Sequence, residues 1–152
     1  MLKEILIVAL LSMTPVLELR AALPAGIAMG MDPWVCYGLC VAFNMVPVPF
    51  IILLLRYVLQ WLHGFGGKAD KLATWVEEHA QKKTQVYKKY QILGLFLLVA
   101  IPIPGTGAWT GALVASFMGM RLKDSVPPIL FGVAAAGLVM LLVSMGVIHI
   151  MN

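Results

Sequence analysis

The chain has 152 residues, 61% of them hydrophobic and only 12% charged, with a mean hydropathy of +0.94. A soluble domain of this length cannot cover so much apolar surface, so the composition excludes an ordinary globular protein and points to a membrane. The net charge of +4 gathers mainly in one loop, which makes it a signal of orientation rather than of nucleic-acid binding.

Residues 5–17 are apolar but reach only about 20 Å as a helix, short of a hydrocarbon core of about 30 Å. Pro15 breaks the run, Glu18 and Arg20 follow, and a second short apolar piece covers 21–31. Two half-length helices around such a break read as a re-entrant hairpin over about 5–31; the alternative is one kinked span with both charges buried inside it. A faint match to a secretory leader, Lys3 followed by an apolar run and Ala-Leu-Pro-Ala, is outweighed by Glu18 and Arg20 at the would-be cleavage region. Asp32-Pro33 opens the next element, and residues 33–55 carry no charge, so a transmembrane helix is expected over about 33–62. Asn44, Pro47 and Pro49 fall near its middle, and Arg56 lies near its end, placed to snorkel to an interface or to reach a ligand. Cys36 and Cys40 fit neither a metal spacing nor a disulfide framework and read as packing residues.

Gly64-Phe65-Gly66-Gly67 forms a joint. Residues 64–90 hold six lysines (Lys68, Lys71, Lys82, Lys83, Lys88, Lys89) against three acids. Leu72, Val76, Ala80, Val86, Tyr87 and Tyr90 fall on one helical face, which predicts a basic amphipathic helix lying on the cytoplasmic leaflet. Residues 91–120 are uncharged and broken in the middle by Ile101-Pro102-Ile103-Pro104-Gly105-Thr106-Gly107-Ala108-Trp109-Thr110-Gly111. Backbone groups freed by that break find no water in hydrocarbon, so the stretch must be buried in protein or line a wet cavity, as broken helices do at transport sites. A second full-length span is expected over about 126–150.

Sliding the chain by 89 positions lays Pro15 on Pro104, Met29-Gly30-Met31 on Met118-Gly119-Met120, and Asp32 on Arg121. Charge supports the same division. If 91–120 dips in and returns, Arg121 and Lys123 lie on the side of the lysine loop, as the positive-inside rule asks. The fold expected is therefore an all-α polytopic membrane protein of two inverted repeats, 1–63 and 91–152. Each repeat is a re-entrant helical hairpin plus a full transmembrane helix, with the amphipathic segment between them. Residues 64–90 and 121–124 are expected in the cytoplasm and the termini outside.

In this geometry the second half-helix of each hairpin begins near the midplane, with its free N–H groups and positive dipole end facing inward. Thr106 is placed to cap, Gly105 and Gly107 admit close approach, and Arg20 adds a charge, which together make an anion site. Glu18 becomes a candidate for proton coupling. The expected substrate or ion site is Glu18, Arg20, Asn44, Arg56, Pro104, Gly105, Thr106, Gly107 and Trp109. Asn44 alternatively bonds between helices, and Trp109 either packs or walls a cavity. The spacings Gly26/Gly30 and Gly107/Gly111 suit close helix packing. His63, His79 and His149 are scattered, no metal, cofactor or catalytic constellation emerges, and no enzyme activity is expected.

The motifs beginning Glu18-Leu19-Arg20-Ala21-Ala22-Leu23-Pro24-Ala25-Gly26, Asn44-x-x-Pro47-x-Pro49-Phe50 and Ile101-Pro102-Ile103-Pro104-Gly105-Thr106-Gly107 resemble the bacterial and archaeal small multidrug export family over nearly the whole chain. More distantly the chain resembles the DedA/VTT membrane proteins. That resemblance implies paired re-entrant hairpins, a prokaryotic inner-membrane location and proton-coupled recycling of polyprenyl-phosphate lipids. Glu18 then matches the acidic residue of the first DedA hairpin. The basic residue of the second has no counterpart in 105–111, leaving Arg20 or Arg56 as substitutes. The leading expectation is a transporter or flippase of anionic amphiphiles of the polyprenyl-phosphate type. The others are an exporter of small hydrophobic or cationic drugs, with Glu18 as counter-ion, and a non-transporting membrane scaffold. Membrane lipids and a second copy of the chain are the expected partners.

Overall fold

A computed structural model describes residues 2–64, 66–82, 88–103 and 105–151, and all regular structure among them is α-helical. α1 (Leu2–Met13) and α2 (Glu18–Ala28) are joined by a four-residue turn. The Cβ that Gly26 lacks would stand 2.9 Å from the side chain of Val8. In a single kinked span those residues would lie about 27 Å apart, at ~1.5 Å per residue. The two helices therefore fold back on each other, and the kinked-span alternative fails.

α3 (Pro33–Met45) starts at a well-formed cap: the Asp32 carboxylate accepts from the Trp34 and Val35 N–H groups, both at 3.0 Å, with Pro33 where an N–H would go unused. α4 (Pro47–Gly64) continues through Val46, which keeps helical angles. Pro47 deletes one ladder bond without ending the helix, and the apolar stretch Pro33–Gly64 is long enough to cross a bilayer. α5 (Gly67–Lys82) follows, tied to the end of α4 by His63 Nδ1 and Asp70 Oδ1 at 2.6 Å. It leaves Leu72 and Trp75 exposed and buries Ala73. Of the face predicted for 64–90, Leu72 and Tyr90 are exposed, and Val86 and Tyr87 lie outside the described residues.

α6 (Lys88–Ala100) and α7 (Ala108–Phe117) flank the irregular stretch around 101–107, and α8 (Leu122–Met151) closes the chain. α8 starts about four residues before the predicted span and accommodates Pro127 and Pro128 near its start; its apolar part, Leu122–Val147, is the second stretch able to cross a bilayer.

The same terminal hydrogen bonds recur 89 residues apart. At the end of α2, Met29 N, Gly30 N and Met31 N donate to Ala25, Ile27 and Gly26 O at 3.0, 2.9 and 3.1 Å. At the end of α7, Met118, Gly119 and Met120 N donate to Val114, Ser116 and Ala115 O at 2.9, 3.0 and 3.0 Å. Gly30 and Gly119 hold φ of +87° and +64°, the left-handed turn that glycine accepts at a helix end.

The core lies where α2, α3, α6 and α8 converge. Leu19, Leu23, Cys36, Cys40, Val99, Ile129 and Val133 are all buried there. Missing side chains set the helix spacing. Cβ atoms on Gly111 and Gly132 would lie 2.6 and 2.7 Å from Val99, one on Gly137 would lie 2.7 Å from Tyr37, and one on Gly26 2.3 Å from Cys36 Sγ. Tyr37 also donates to Ala134 O at 3.0 Å, fixing α3 to α8. The outer surface is the reverse of a soluble protein's: Leu10, Phe50 and Leu142 are 67%, 69% and 70% exposed, a cover of large apolar side chains that lipid solvates and water does not.

Candidate functional site

The turn before α2 and the broken stretch before α7 meet, and three side chains tie them together. Trp109 Nε1 donates to Met13 O at 3.1 Å, the last carbonyl of α1. Arg20, on the first turn of α2, donates to Ile101 O at 3.0 Å and to Ile103 O and Thr106 O, with Thr106 Oγ1 at 3.3 Å. Breaking a helix at 101–107 strands carbonyls that no later turn reaches. A guanidinium presents donors in a fixed fork and suits several oxygens at once, as an ammonium does not.

Glu18 completes the junction from the other side. Its Oε1 accepts from the Trp109 backbone N–H at 3.3 Å, at the amino end of α7, where a negative charge is stabilised by the helix dipole. Gly107 precedes α7 with an extended φ of −148°, open to any residue. A Cβ there would lie 1.6 Å from Glu18 Oε2, so the glycine is needed for the space the carboxylate fills. Glu18 is 6% exposed and is the one non-glycine with positive φ among the described residues, at +48°. That conformation costs about 1–2 kcal/mol and persists only where its surroundings hold it, as at functional sites.

Asn44 reaches the same place from α3. It is 2% exposed, and its Oδ1 has no hydrogen-bond partner among the described residues. Such an oxygen costs about 1–3 kcal/mol if left unmet. It shares with Glu18, Arg20 and Gly107 a small cavity of about 10 Å³.

The structure thus brings together Glu18, Arg20, Asn44, Thr106, Gly107 and Trp109. Gly105 lies in the adjoining turn with φ of +86°, its carbonyl accepting from Thr110 Oγ1 at 2.6 Å. Pro104 lies outside the described residues. Arg56 sits elsewhere: it donates to Met120 O beyond the far end of α7, beside Gln60 and Arg121. Thr106 does not cap α7. Its hydroxyl lies 2.9 Å from Ile103 O and 3.0 Å from Ile101 O, because the amino end of α7 is already served by Glu18. The expected open anion site is therefore filled from within, its helix end by the chain's own carboxylate and its arginine by backbone carbonyls. Among the described residues no group of three or more His, Cys, Asp and Glu is placed to hold a metal ion. The Cys36 and Cys40 thiols pack in the core with sulfurs 4.0 Å apart.

A family model described as "Putative small multi-drug export protein" matches residues 18–139, from Glu18 itself to the middle of α8. No curated protein and no solved structure matches the chain.

Proposed function

The chain belongs to the small multi-drug export family, and from that premise we propose that it is a secondary transporter that exports small hydrophobic amphiphiles, with the Glu18–Arg20 junction as its gate. The observation that carries this reading is the cross-tie itself. A buried carboxylate and a guanidinium hold two broken helix pairs closed against each other, and intramembrane charges so placed mark transport pathways. Release of the Glu18 and Arg20 ties loosens the two pairs at their tips, where Trp109 also joins them. A cationic amphiphile competes for Glu18 once it leaves the α7 amino end, which favours export of cations in exchange for protons.

We read the two pairs as re-entrant from opposite faces. Support comes from their lengths, 12 and 11 residues in the first pair and 13 and 10 in the second, each about 15–20 Å as helix. The identical capping 89 residues apart supports a repeat. On this reading residues 64–90 and 121–124 are cytoplasmic, the membrane is the inner membrane of a prokaryote, and two copies pair to enclose the pathway. Single cysteines replacing Arg121 or Lys123, with Cys36 and Cys40 changed to Ala, are expected to react with an impermeant maleimide only from the cytoplasmic side. Reaction from outside alone would overturn the topology.

A second reading, movement of an anionic amphiphile such as a polyprenyl phosphate, requires the anion to displace Glu18 from the α7 amino end and the backbone carbonyls from Arg20. Proteoliposomes separate the two. Under a pH gradient, efflux of a fluorescent lipophilic cation should fall at least about tenfold in Glu18→Gln, the equivalent of ~1.4 kcal/mol in barrier. Loss of labelled polyprenyl-phosphate movement in both Glu18→Gln and Arg20→Ala, with no cation efflux in the wild type, would select the second reading.

A further inference from the structure

The cavity between Glu18 and Asn44 has a use that the cross-tie does not need. Its volume, about 10 Å³, is the room of one water molecule. Two oxygen-bearing side chains from different helices border it: the Glu18 carboxylate, whose Oε1 is engaged by Trp109 N–H, and the almost fully buried Asn44 amide, whose Oδ1 has no partner among the described residues. Val99 from α6, Ala108 from α7, and Val133 and Ala136 from α8 form apolar walls. Among the described residues Arg20 is the only other charged group lining the cavity, and it donates to the carbonyls of Ile101, Ile103 and Thr106. A metal cation finds too few oxygens here and a guanidinium beside it. A neutral donor fits: it can give one hydrogen to each of two acceptors.

We propose that Glu18 and Asn44 hold one water between them and form a buried proton-binding site. This deepens the transport reading above and rests on it for its purpose. When the site is unloaded, the Glu18 carboxylate accepts from the α7 amino end and from the water, whose second O–H goes to Asn44 Oδ1. When a proton from bulk water adds to the carboxylate, Glu18 becomes an O–H donor to the bridging water, which keeps its bond to Asn44. The neutral carboxyl is a weaker partner for the positive end of α7. Loading the site therefore loosens the tie between the two helix pairs, and unloading restores it. Asn44 is a positioning residue: it holds the water through which the proton is shared.

The test needs no transported substrate. Infrared spectra of the full chain in liposomes, titrated with acid, are expected to show a protonated-carboxyl C=O band that is missing in Glu18→Gln. In Asn44→Ala the band should change frequency, and its midpoint should move on the order of tenfold in proton concentration. Asn44→Ser, which keeps an oxygen, should lie nearer the wild type. An unchanged band and midpoint in Asn44→Ala, no Glu18-dependent band at all, or loss of the band on adding sodium at fixed pH would each overturn the proposal. A normal titration in a protein that moves neither probe would instead sink the transport reading and leave the proton site standing.

Discussion

Gly107→Ala is expected to abolish transport and to destabilise the protein by about 3 kcal/mol, although a methyl group is the smallest change that adds a side chain. The backbone at Gly107 tolerates any residue, but the new Cβ would fall 1.6 Å from Glu18 Oε2 and 2.4 Å from its Cδ. Glu18 must then leave the amino end of α7, giving up its charge-assisted bond to Trp109 N–H, worth about 1.5–3 kcal/mol, in addition to the local rearrangement. Gly105→Ala is the informative contrast. Among the described residues nothing lies within 4 Å of its would-be Cβ, and its φ of +86° opposes a side chain, so about 1–2 kcal/mol is expected there. A double-mutant cycle isolates the clash. In a Glu18→Ala background, Gly107→Ala should cost below ~1 kcal/mol, because the group it displaces is gone. Chemical unfolding in mild detergent reads all three, and additive effects of the two changes would refute the assigned contact.

Arg20→Ala is expected to cost about 2–4 kcal/mol and to open the junction. Its guanidinium donates to the carbonyls of Ile101, Ile103 and Thr106, and bonds from a charged donor contribute about 1.5–3 kcal/mol each where they are well formed. Arg20→Lys should recover less than half of the loss, since an ammonium is a point charge that cannot span three separated carbonyls. The same unfolding series, with accessibility of a cysteine placed at Thr106 as a local readout, checks the prediction. Full recovery by lysine would mean that charge alone matters and that the fork of donors is incidental.

Much of this architecture is legible in the residues because the signals are local. Asp32-Pro33 announces α3, and the helix starts there, capped by the Asp32 carboxylate. Met29-Gly30-Met31 and Met118-Gly119-Met120 are matching helix ends 89 residues apart, and their hydrogen bonds match. The Pro- and Gly-rich stretch around 101–107 interrupts the helix as its composition demands. Glu18 and Arg20 stand out because charges in an apolar chain are few. What they touch is not legible. Thr106 is by local rules the natural cap for α7, and it loses that place to a carboxylate 88 positions earlier in the chain. Nothing in the neighbourhood of either residue encodes that encounter; it follows from how α1, α2, α6 and α7 pack. Arg56 reads locally as a snorkelling or ligand-binding residue, and the structure spends it on Met120 O. Gly132 and Gly137 give no spacing signal in sequence, yet they set how near α8 comes to Val99 and Tyr37.

The cross-tie also dictates a schedule for biogenesis. Arg20 and Glu18 leave the ribosome before their partners, which lie 81 to 91 residues downstream. At about 5–20 residues per second, that is roughly 4 to 18 seconds of translation. Throughout that interval the first helix pair carries two charged groups whose backbone hydrogen-bond partners do not yet exist. The cross-tie cannot close until residues 101–109 arrive. Order of synthesis thus leaves the first pair's charged groups without their final partners until the second pair has been made.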